Sequence, residues 1–129
     1  MADELVLHNY TAASAIAAGQ FVALDSSQSV TQPAAVAADT TNTNIIGISI
    51  KDVAEGEVIT YKPFKTGAIY QVKAGAAISA GDQLGVNSSG LAVTAGSGNV
   101  AVPMIAINAA SASGDFILGA FVHVGEVGA

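Results

Sequence analysis

Residues 67–85 read GAIYQVKAGAAISAGDQLG, and this stretch decides the predicted fold. It predicts a strand at 68–72, a glycine turn, and then a tight turn through Gly81 and Asp82 into a second strand at 84–86. Glycine adopts positive φ without steric cost, and an aspartate side chain hydrogen-bonds within its own turn. The stretch therefore indicates a small β unit built from short strands and glycine turns.

The same phrase occurs earlier in the chain. Residues 16–27 read IAAGQFVALDSS and align with ISAGDQLGVNSS at 78–89, with identities at an isoleucine, an alanine, a glycine and two serines. Further on, GEVI at 56–59 aligns with GDFI at 114–117. The chain is therefore predicted to contain two diverged copies of one β unit, copy one at about 16–65 and copy two at about 78–125.

Short runs of apolar and β-branched residues predict most of the other strands. These are expected at 21–24, 29–32, 45–50, 58–63, 91–94, 100–107 and 116–124, with Ile46, Ile48 and Ile50 on one face. Residues 33–44 are predicted to be a loop because they are rich in Asp, Asn and Thr. The alanines at 34–38 and 109–112 leave a single helical turn open as an alternative in each place. Pro63 predicts a strand end at a sheet edge.

Together these patterns predict an all-β fold, a small barrel or sandwich built from two diverged β repeats, with an extended N-terminal arm. Residues 1–15 form the arm or a first strand, and residues 16–129 form one β domain. A chain of 129 residues is long enough to bury a core as a single domain. Short strands with exposed edges must be closed, covered or paired, and oligomerisation is one way to do so.

The composition excludes several classes of function. The net charge is −6, and the only basic side chains are the four lysines at 51, 62, 65 and 73, so a nucleic-acid surface is not expected. An anionic membrane surface is disfavoured for the same reason. Charged residues make up 11% of the chain, against about 25% in a typical domain. Either much of the surface is buried against other chains, or the chain simply has an alanine-rich, low-charge composition.

The N-terminal and cysteine patterns bear on the cellular compartment. The chain starts Met-Ala-Asp-Glu and is therefore acidic where a secretory signal would be basic, and no apolar run reaches the length of a membrane span. The chain contains no cysteine, so disulfide and thiolate chemistry are absent. We therefore expect synthesis in the cytoplasm, which leaves the final location open.

No catalytic or metal-binding constellation is apparent. The histidines are His8 and His123, and neither has a partner at metal-ligand spacing. Glu55 and Glu57 flank Gly56, where a solvated turn is the simplest interpretation of a carboxylate pair. The serines lack a nucleophile-elbow context, and the glycines lack phosphate-loop spacing. We therefore expect no enzyme activity, no metal and no cofactor.

The opening stretch also looks like the half-motif of lipoyl and biotinyl carrier domains. Those domains carry a modified lysine on an exposed hairpin, around a dozen residues before the first glycine of the motif. At that distance before Gly67 this chain has Glu55, and Lys51 lacks the expected neighbours. A carrier or small-ligand-binding β domain is the alternative function.

A second resemblance covers residues 16–125. The motifs are AGDQLGV at 80–86, GLAV at 90–93, MIAINAA at 104–110 and SGDFI at 113–117. This order resembles the tailed-bacteriophage capsid decoration, or cement, proteins. The chain departs from the family pattern at Pro103, where glycine is expected, and at 51–53, where the alanine-rich turn is replaced.

The resemblance implies a virion structural protein on the outer capsid surface. Members of the family bind the assembled shell, commonly as homotrimers at threefold positions, and tie neighbouring coat subunits together. The implied partners are the major capsid protein and other copies of the chain. A short N-terminal arm is expected to lie along the coat, with contacts from Leu5, Val6, Leu7, His8 and Tyr10.

Overall fold

The computed structural model describes residues 10–24, 34–40 and 44–122. Its secondary structure there consists of β-strands and turns, without a helix. Within these ranges no helix is long and apolar enough to cross a membrane. The strands are β1 (Thr11–Ala12), β2 (Phe21–Leu24), β3 (Ala34–Ala37), β4 (Ile45–Ser49), β5 (Tyr61–Pro63), β6 (Ile69–Lys73), β7 (Gln83–Val86), β8 (Ala92–Thr94), β9 (Val100–Ala106) and β10 (Phe116–Phe121).

The strands form two five-stranded sheets with related topology. The first sheet has the order β1-β3-β2-β4-β5, and the second has the order β6-β10-β9-β7-β8. The run β3-β2-β4-β5 in the first sheet corresponds strand for strand to β8-β7-β9-β10 in the second. The predicted all-β class with two β repeats is confirmed. The sheets do not close into a barrel.

Equivalent backbone hydrogen bonds recur in both repeats. Ile16 and Val53 exchange two bonds of 3.0 and 2.8 Å, and their counterparts Ile78 and Ala110 exchange two of 2.9 Å. The turns correspond as well, because the N–H groups of Gly56 and Gly114 donate to the carbonyls of Ala12 and Ala74, both at 2.8 Å. We call the two units the first and the second repeat. The exact repeat bounds proposed from the sequence remain predictions.

The glycine turns follow the expected chemistry. Gly19 and Gly81 occupy the same turn in the two repeats, with φ of 87° and 91°. In the second repeat the Asp82 carboxylate accepts a bond of 3.0 Å from the Ser79 N–H. In the first repeat the Gln20 amide oxygen accepts one of 2.7 Å from the Ala17 N–H. In both repeats the residue after the turn glycine thus closes the turn with a side-chain oxygen, although this residue is Gln20 in the first repeat and Asp82 in the second.

Two hydrophobic cores lie on either side of the first sheet. The larger core joins the two sheets. The smaller core is internal to the first repeat and is formed by the buried residues Ala12, Ile16, Val22, Val53 and Ile59. Ile48 belongs to the larger core and Ile46 packs on the smaller one, so the prediction that both lie on one face was wrong. A register shift between β2 and β4 is the physical reason, because a bulge reverses the face of the following residues.

The segment at 33–44 was predicted to be a loop, yet residues 34–37 form β3. This strand pairs antiparallel with β2 and parallel with β1. Alanine has a low intrinsic strand propensity, and here the backbone pairing available on two sides outweighs it. The alternative of helical turns at 34–38 and 109–112 is likewise wrong. The strand predicted at 29–32 lies outside the described residues.

Pro63 ends β5 at the edge of the first sheet, as its sequence position predicted. A proline at an edge strand withdraws one backbone donor from the exposed side and discourages pairing with foreign strands. Among the described residues of the second sheet, the edge strands are β6 and β8.

Candidate docking surface

The two repeats meet along a seam that the first repeat fills with large apolar side chains. Phe21 and Ile48 are at most 1% exposed there. Backbone bonds cross the same seam: the Phe21 N–H donates to the Gly90 carbonyl at 2.9 Å, and the Lys73 N–H donates to the Gly19 carbonyl at 3.0 Å. The repeats are thus held together by buried apolar surface and by directed hydrogen bonds.

An aromatic cluster extends the seam. The ring of Phe64 stacks on Phe121 with centroids 4.7 Å apart, and it meets Tyr70 edge-on at 5.7 Å. Phe21 lies 6.4 Å from Phe64 on the other side. Aromatic pairs in these geometries are worth about 0.5–1.5 kcal/mol each beyond the area they bury. Phe64 follows β5 directly, so the cluster fixes the connection between the sheets.

Tyr70 anchors that connection with its hydroxyl group. The hydroxyl donates to the Pro63 carbonyl at 2.7 Å and accepts from the Lys65 N–H at 2.7 Å. Burial raises the pKa of Tyr70, and the bond from the Lys65 N–H opposes that effect. Because the phenol is a structural donor, its role is to tie the end of β5 to β6.

A shallow groove opens over the seam. Its volume is about 80 Å³, and its lining residues are Ala18, Gly19, Ile48, Ser49, Ile50, Lys62, Tyr70, Gln71 and Phe116. Sites for cofactors and drug-sized ligands typically measure about 300–1,000 Å³. The groove is therefore too small for a lipoyl-sized or biotin-sized group, and a small-ligand function gains no support from it.

The two lysines at this seam are engaged within the chain. The Lys62 ammonium donates to the Ile69 carbonyl and lies 4.7 Å from the centre of the Tyr70 ring. The Lys73 ammonium lies 5.9 Å from the centre of the Phe116 ring. These contacts hold the cations over aromatic faces. The seam is accordingly a structural junction with little free charge.

The second repeat presents an apolar surface outside the seam. Ile69, Ile107 and Leu118 are 42%, 46% and 41% exposed. They lie together, because Leu118 pairs opposite Gln71, two residues from Ile69, and its carbonyl accepts a bond of 2.8 Å from the Ile107 N–H. Ile105 and Ala120 are partly buried neighbours that pair with each other. We call Ile69, Ile105, Ile107, Leu118 and Ala120 the outer face of the second repeat.

The sequence missed this surface as a functional feature. Its signal was present in β9 and β10, where apolar residues occupy both the inward and the outward positions. A strand with one solvated face normally alternates apolar and polar residues. Outward isoleucine and leucine at 105, 107 and 118 break that alternation and could have identified an unpartnered face.

Tyr10 is the one predicted capsid-contact residue that falls within the described part of the chain. Its ring packs edge-on against Tyr61, with centroids 6.0 Å apart. Its carbonyl accepts a bond of 2.9 Å from the Ile59 N–H. Burial, and then the neighbouring Tyr10, raises the pKa of Tyr61. Tyr10 thus supports the first repeat. Leu5, Val6, Leu7 and His8 lie outside the described residues, as does His123.

Glu57, one of the two carboxylates that flank Gly56, closes a turn by accepting a bond of 2.8 Å from the Ala54 N–H. The nearby Asp52 accepts a bond of 2.8 Å from the Ala18 N–H and so ties two segments of the first repeat together. Across residues 10–24, 34–40 and 44–122, no three His, Cys, Asp or Glu side chains are grouped to hold a metal ion. The observed bonds give Glu57 and Asp52 structural roles.

Asp115 closes the turn before β10, and its ionisation should make the stability of the fold depend on pH. The carboxylate accepts bonds from the Ser111 N–H at 2.9 Å, the Ser111 hydroxyl at 3.0 Å and the Ala112 N–H at 3.2 Å. The bond from the Ser111 N–H, followed by the other two, lowers the pKa of Asp115 from 3.8. A lowered folded-state pKa means that the carboxylate stabilises the fold above pH 3.8, and that this stabilisation is lost as the pH falls through the lowered value.

The Asp115→Asn variant tests this dependence. At pH 6 its Tm should lie below that of the wild type, because the amide makes weaker bonds than a charged carboxylate. The difference should shrink as the pH falls from 3.8 through the lowered pKa of Asp115, because the wild-type side chain then becomes neutral as well. The measurement is Tm by circular dichroism from pH 2.5 to 7. A difference that stays constant over this range would show that ionisation of Asp115 does not matter.

Comparison with known proteins finds a family of similar sequences and a solved structure with a similar fold. A sequence profile described as phage cement protein matches residues 2–121. A solved structure of the head fiber gp8.5 N base of bacteriophage phi29 superposes with a TM-score of 0.68 at 23% identity, covering 88% of this chain and 91% of that one. No curated protein matches the chain. At this identity the structural likeness shows a shared fold.

Proposed function

Because the chain belongs to the phage cement protein family, we propose that it binds the outer surface of an assembled phage capsid and stabilises contacts between coat subunits. The family consists of phage structural proteins, so the chain is a capsid-associated component of the virion. The observation that carries the proposal is the family match over 2–121, which includes both repeats.

The physical properties of the chain support this function. A protein that binds the assembled shell, and not its dissociated subunits, stabilises the assembly by mass action. This needs a rigid scaffold with an adhesive surface and no catalytic group. The two sheets with their shared core provide the scaffold, and the exposed isoleucines and leucine of the second repeat provide apolar surface.

The proposal includes partners of two kinds. One is the major capsid protein, and the other is the chain itself as a homotrimer. Charged residues make up 11% of the sequence, and interface cores are depleted in charge, so extensive burial against other chains would explain the composition.

The N-terminal arm is proposed as the capsid contact, with Leu5, Val6, Leu7, His8 and Tyr10 along the coat as an added strand. Extended segments bind sheet edges through main-chain bonds, and alternate side chains then provide specificity. Because Tyr10 also packs on Tyr61, its expected role is to anchor the base of the arm.

Binding to shells tests the function and the arm separately. Shells of the corresponding phage that lack this protein are incubated with the full chain, a variant lacking residues 1–9, and a Ser97→Ala control. Bound protein is then measured by sedimentation. The deletion stops before Tyr10 because that residue holds the first repeat.

We expect saturable binding of the full chain and of the Ser97→Ala control, with a raised dissociation temperature of the shell. The truncated chain should bind roughly 100-fold more weakly, since it loses a whole added strand, while keeping its circular dichroism spectrum and Tm. Absence of binding by the full chain would refute the cement function. Equal binding by the truncated chain would refute only the role of the arm.

A further inference from the structure

The N-terminal strand pairs with the segment that leads into β5. Thr11 forms an antiparallel bridge with Val58. Next to that bridge, the Ile59 N–H donates to the Tyr10 carbonyl at 2.9 Å. In an antiparallel ladder each step toward the N-terminus of one strand faces a step toward the C-terminus of the other. Tyr10 therefore lies opposite Ile59, and the position opposite Tyr61 belongs to the residue two before Tyr10.

The backbone of Tyr61 has no partner in β4. Tyr61 lies opposite Ser49 in the register of β4 and β5. The Ser49 N–H donates to the Gln20 carbonyl at 3.0 Å, and the Ser49 carbonyl accepts from the Gly19 N–H at 2.8 Å, so both groups turn toward β2. In the described part of the chain no other group bonds to the Tyr61 N–H or carbonyl. The edge of β5 thus presents one open donor and one open acceptor at Tyr61.

The alternation along the strand gives the direction of these open groups. The Thr60 carbonyl faces β4, because it accepts a bond of 3.0 Å from the Ile50 N–H. The Ile59 N–H faces the opposite side, where it meets the N-terminal strand. Successive residues of a strand alternate between the two sides, so Tyr61 shares the side of Ile59. Its open groups point to the line along which the N-terminal strand would continue.

We propose that the edge of β5 at Tyr61 is a strand-acceptor site for residues 7–9 of the same chain. In this register His8 and Tyr61 exchange both of their backbone hydrogen bonds. The His8 side chain then shares a face with Tyr10 and Tyr61, whose rings lie edge-on with centroids 6.0 Å apart. Tyr10 and Tyr61 are diagonal neighbours in this ladder, and aromatic side chains reach each other at that spacing.

The position of Tyr10 favours the chain's own arm as the occupant. Tyr10 already stands in the ladder, and an extended chain advances about 3.4 Å per residue, so His8 reaches the level of Tyr61 without a loop. Only the entropy of ordering a few residues opposes the pairing. A strand from a second copy or from a coat subunit would also lose its freedom of translation and rotation.

Pro63 sets the end of the acceptor site. Val6 would lie opposite Pro63, which has no N–H group to donate. The Pro63 carbonyl already accepts the Tyr70 hydroxyl at 2.7 Å. The ladder therefore stops after His8, and residues 1–6 leave the sheet.

This division of the arm rests on the proposed function only in assigning residues 1–6 to the coat. Leu5 and Val6 then remain available to the capsid, whereas His8 and Tyr10 hold the base of the arm on the first repeat. The pairing at β5 needs no capsid, so it is tested without one.

Amide hydrogen exchange, followed residue by residue by NMR on the full chain, measures the pairing. We expect the Tyr61 amide to exchange roughly 10- to 100-fold more slowly than an open edge amide. A nuclear Overhauser contact between the α-protons of Asn9 and Thr60 is also expected. These two residues form the close, non-hydrogen-bonded pair of the proposed ladder.

Two deletions separate the acceptor site from the rest of the arm. Removal of residues 1–6 should leave the Tyr61 amide protected, whereas removal of residues 1–9 should return it to the rate of an open edge. The Ile59 amide, which bonds to the Tyr10 carbonyl, is the internal control and should stay protected in both. If the longer deletion unfolds by circular dichroism, the α-proton contact in the full chain decides the question.

The His8→Ala variant distinguishes main-chain pairing from a contact of the imidazole. Alanine keeps both backbone bonds, so slow exchange at Tyr61 should persist; its loss would assign the protection to the side chain and overturn the proposed ladder. The two bonds are largely offset by the entropy of ordering residues 7–9. Tm should therefore change little in all these variants, and local exchange is the informative measurement.

Fast exchange of the Tyr61 amide in the full chain would overturn the inference, as would protection that survives removal of residues 1–9 or is lost on removal of residues 1–6. Protection that rises with protein concentration would identify a strand from a second copy instead. Protection that appears only when shells are added would identify a coat strand.

Shell binding is measured separately. Removal of residues 1–6 should weaken it as much as removal of residues 1–9, roughly 100-fold, if the free part of the arm provides the coat contact. Equal binding by all three chains would refute the coat contact of the arm and leave the result at Tyr61 unchanged.

Discussion

We expect the Phe21→Ala variant to lose about 3–5 kcal/mol of unfolding free energy, the range for removing a fully buried aromatic ring. Phe21 is 0% exposed, and it lies in the core that both repeats share. Its ring is 6.4 Å from that of Phe64, so the truncation also weakens the aromatic cluster behind the seam. The cavity cannot close easily, because the Phe21 N–H is fixed to the Gly90 carbonyl.

The matched control is Gln83→Ala. Gln83 occupies the position in the second repeat that is equivalent to Phe21, and its side chain is exposed. Its amide donates to the Val102 carbonyl at 3.1 Å, a partly exposed bond that contributes little. We expect a change within about 0.5 kcal/mol.

Urea unfolding followed by circular dichroism measures both variants. A cooperative transition with a reduced midpoint is expected for Phe21→Ala. Two separate transitions would mean that the seam alone couples the repeats. Equal losses in the two variants would contradict the assignment of Phe21 to the interior of the seam.

The second large effect is expected at Gly19, where alanine should cost about 3 kcal/mol or more. Gly19 has φ of +87°, and a Cβ built there would lie 2.8 Å from Phe116 Cε1 and 2.9 Å from the backbone nitrogen of Lys73. Positive φ costs a residue with a side chain about 1 kcal/mol or more, and overpacking adds about 1–3 kcal/mol. The backbone contact cannot be relieved by a rotamer change. The bond from the Lys73 N–H to the Gly19 carbonyl would be strained at the same time.

The Gly81→Ala variant is the control, because it measures how much unfolding free energy is lost through positive φ alone, without overpacking. Gly81 is the equivalent turn residue, with φ of +91°, and a Cβ built there meets nothing within 4 Å. We expect a loss of about 1 kcal/mol, from the backbone conformation alone. The difference in unfolding free energy between the two variants measures the close packing of the repeats at Gly19. If both variants lost the same amount, the seam would have to be loose enough to admit a methyl group.

The fold was largely predictable because its signals are local. Turn glycines and short apolar runs gave the all-β class, the strand at residues 21–24 and the edge position of Pro63. Where the prediction failed, the reason was non-local. Residues 34–37 form a strand because two neighbouring strands accept their backbone groups, and a bulge in the pairing of β2 with β4 separated Ile46 from Ile48.

The candidate surface was less predictable. From the sequence, the capsid contacts were predicted in the N-terminal arm. Tyr10 is the residue of that prediction that the structure describes, and it packs against the smaller core of the first repeat. The outer face of the second repeat was not recognised, although apolar residues at both the inward and the outward positions of β9 and β10 carried its signal. The exposure of Ile69, Ile107 and Leu118 became evident only from the packing of the two sheets.

The sequence by itself determined the repeated unit, its turns and the family to which the chain belongs, since these depend on residue types at fixed spacing. Tertiary structure alone decided how deeply some equivalent positions are buried. Ile48 is 1% exposed at the seam and its equivalent Ile105 is only partly buried on the outer face, although the same local pattern, Ile-x-Ile, begins at both. The physical reason is that burial depends on what packs against a strand, and in this chain the second repeat covers the first while no described segment covers the second.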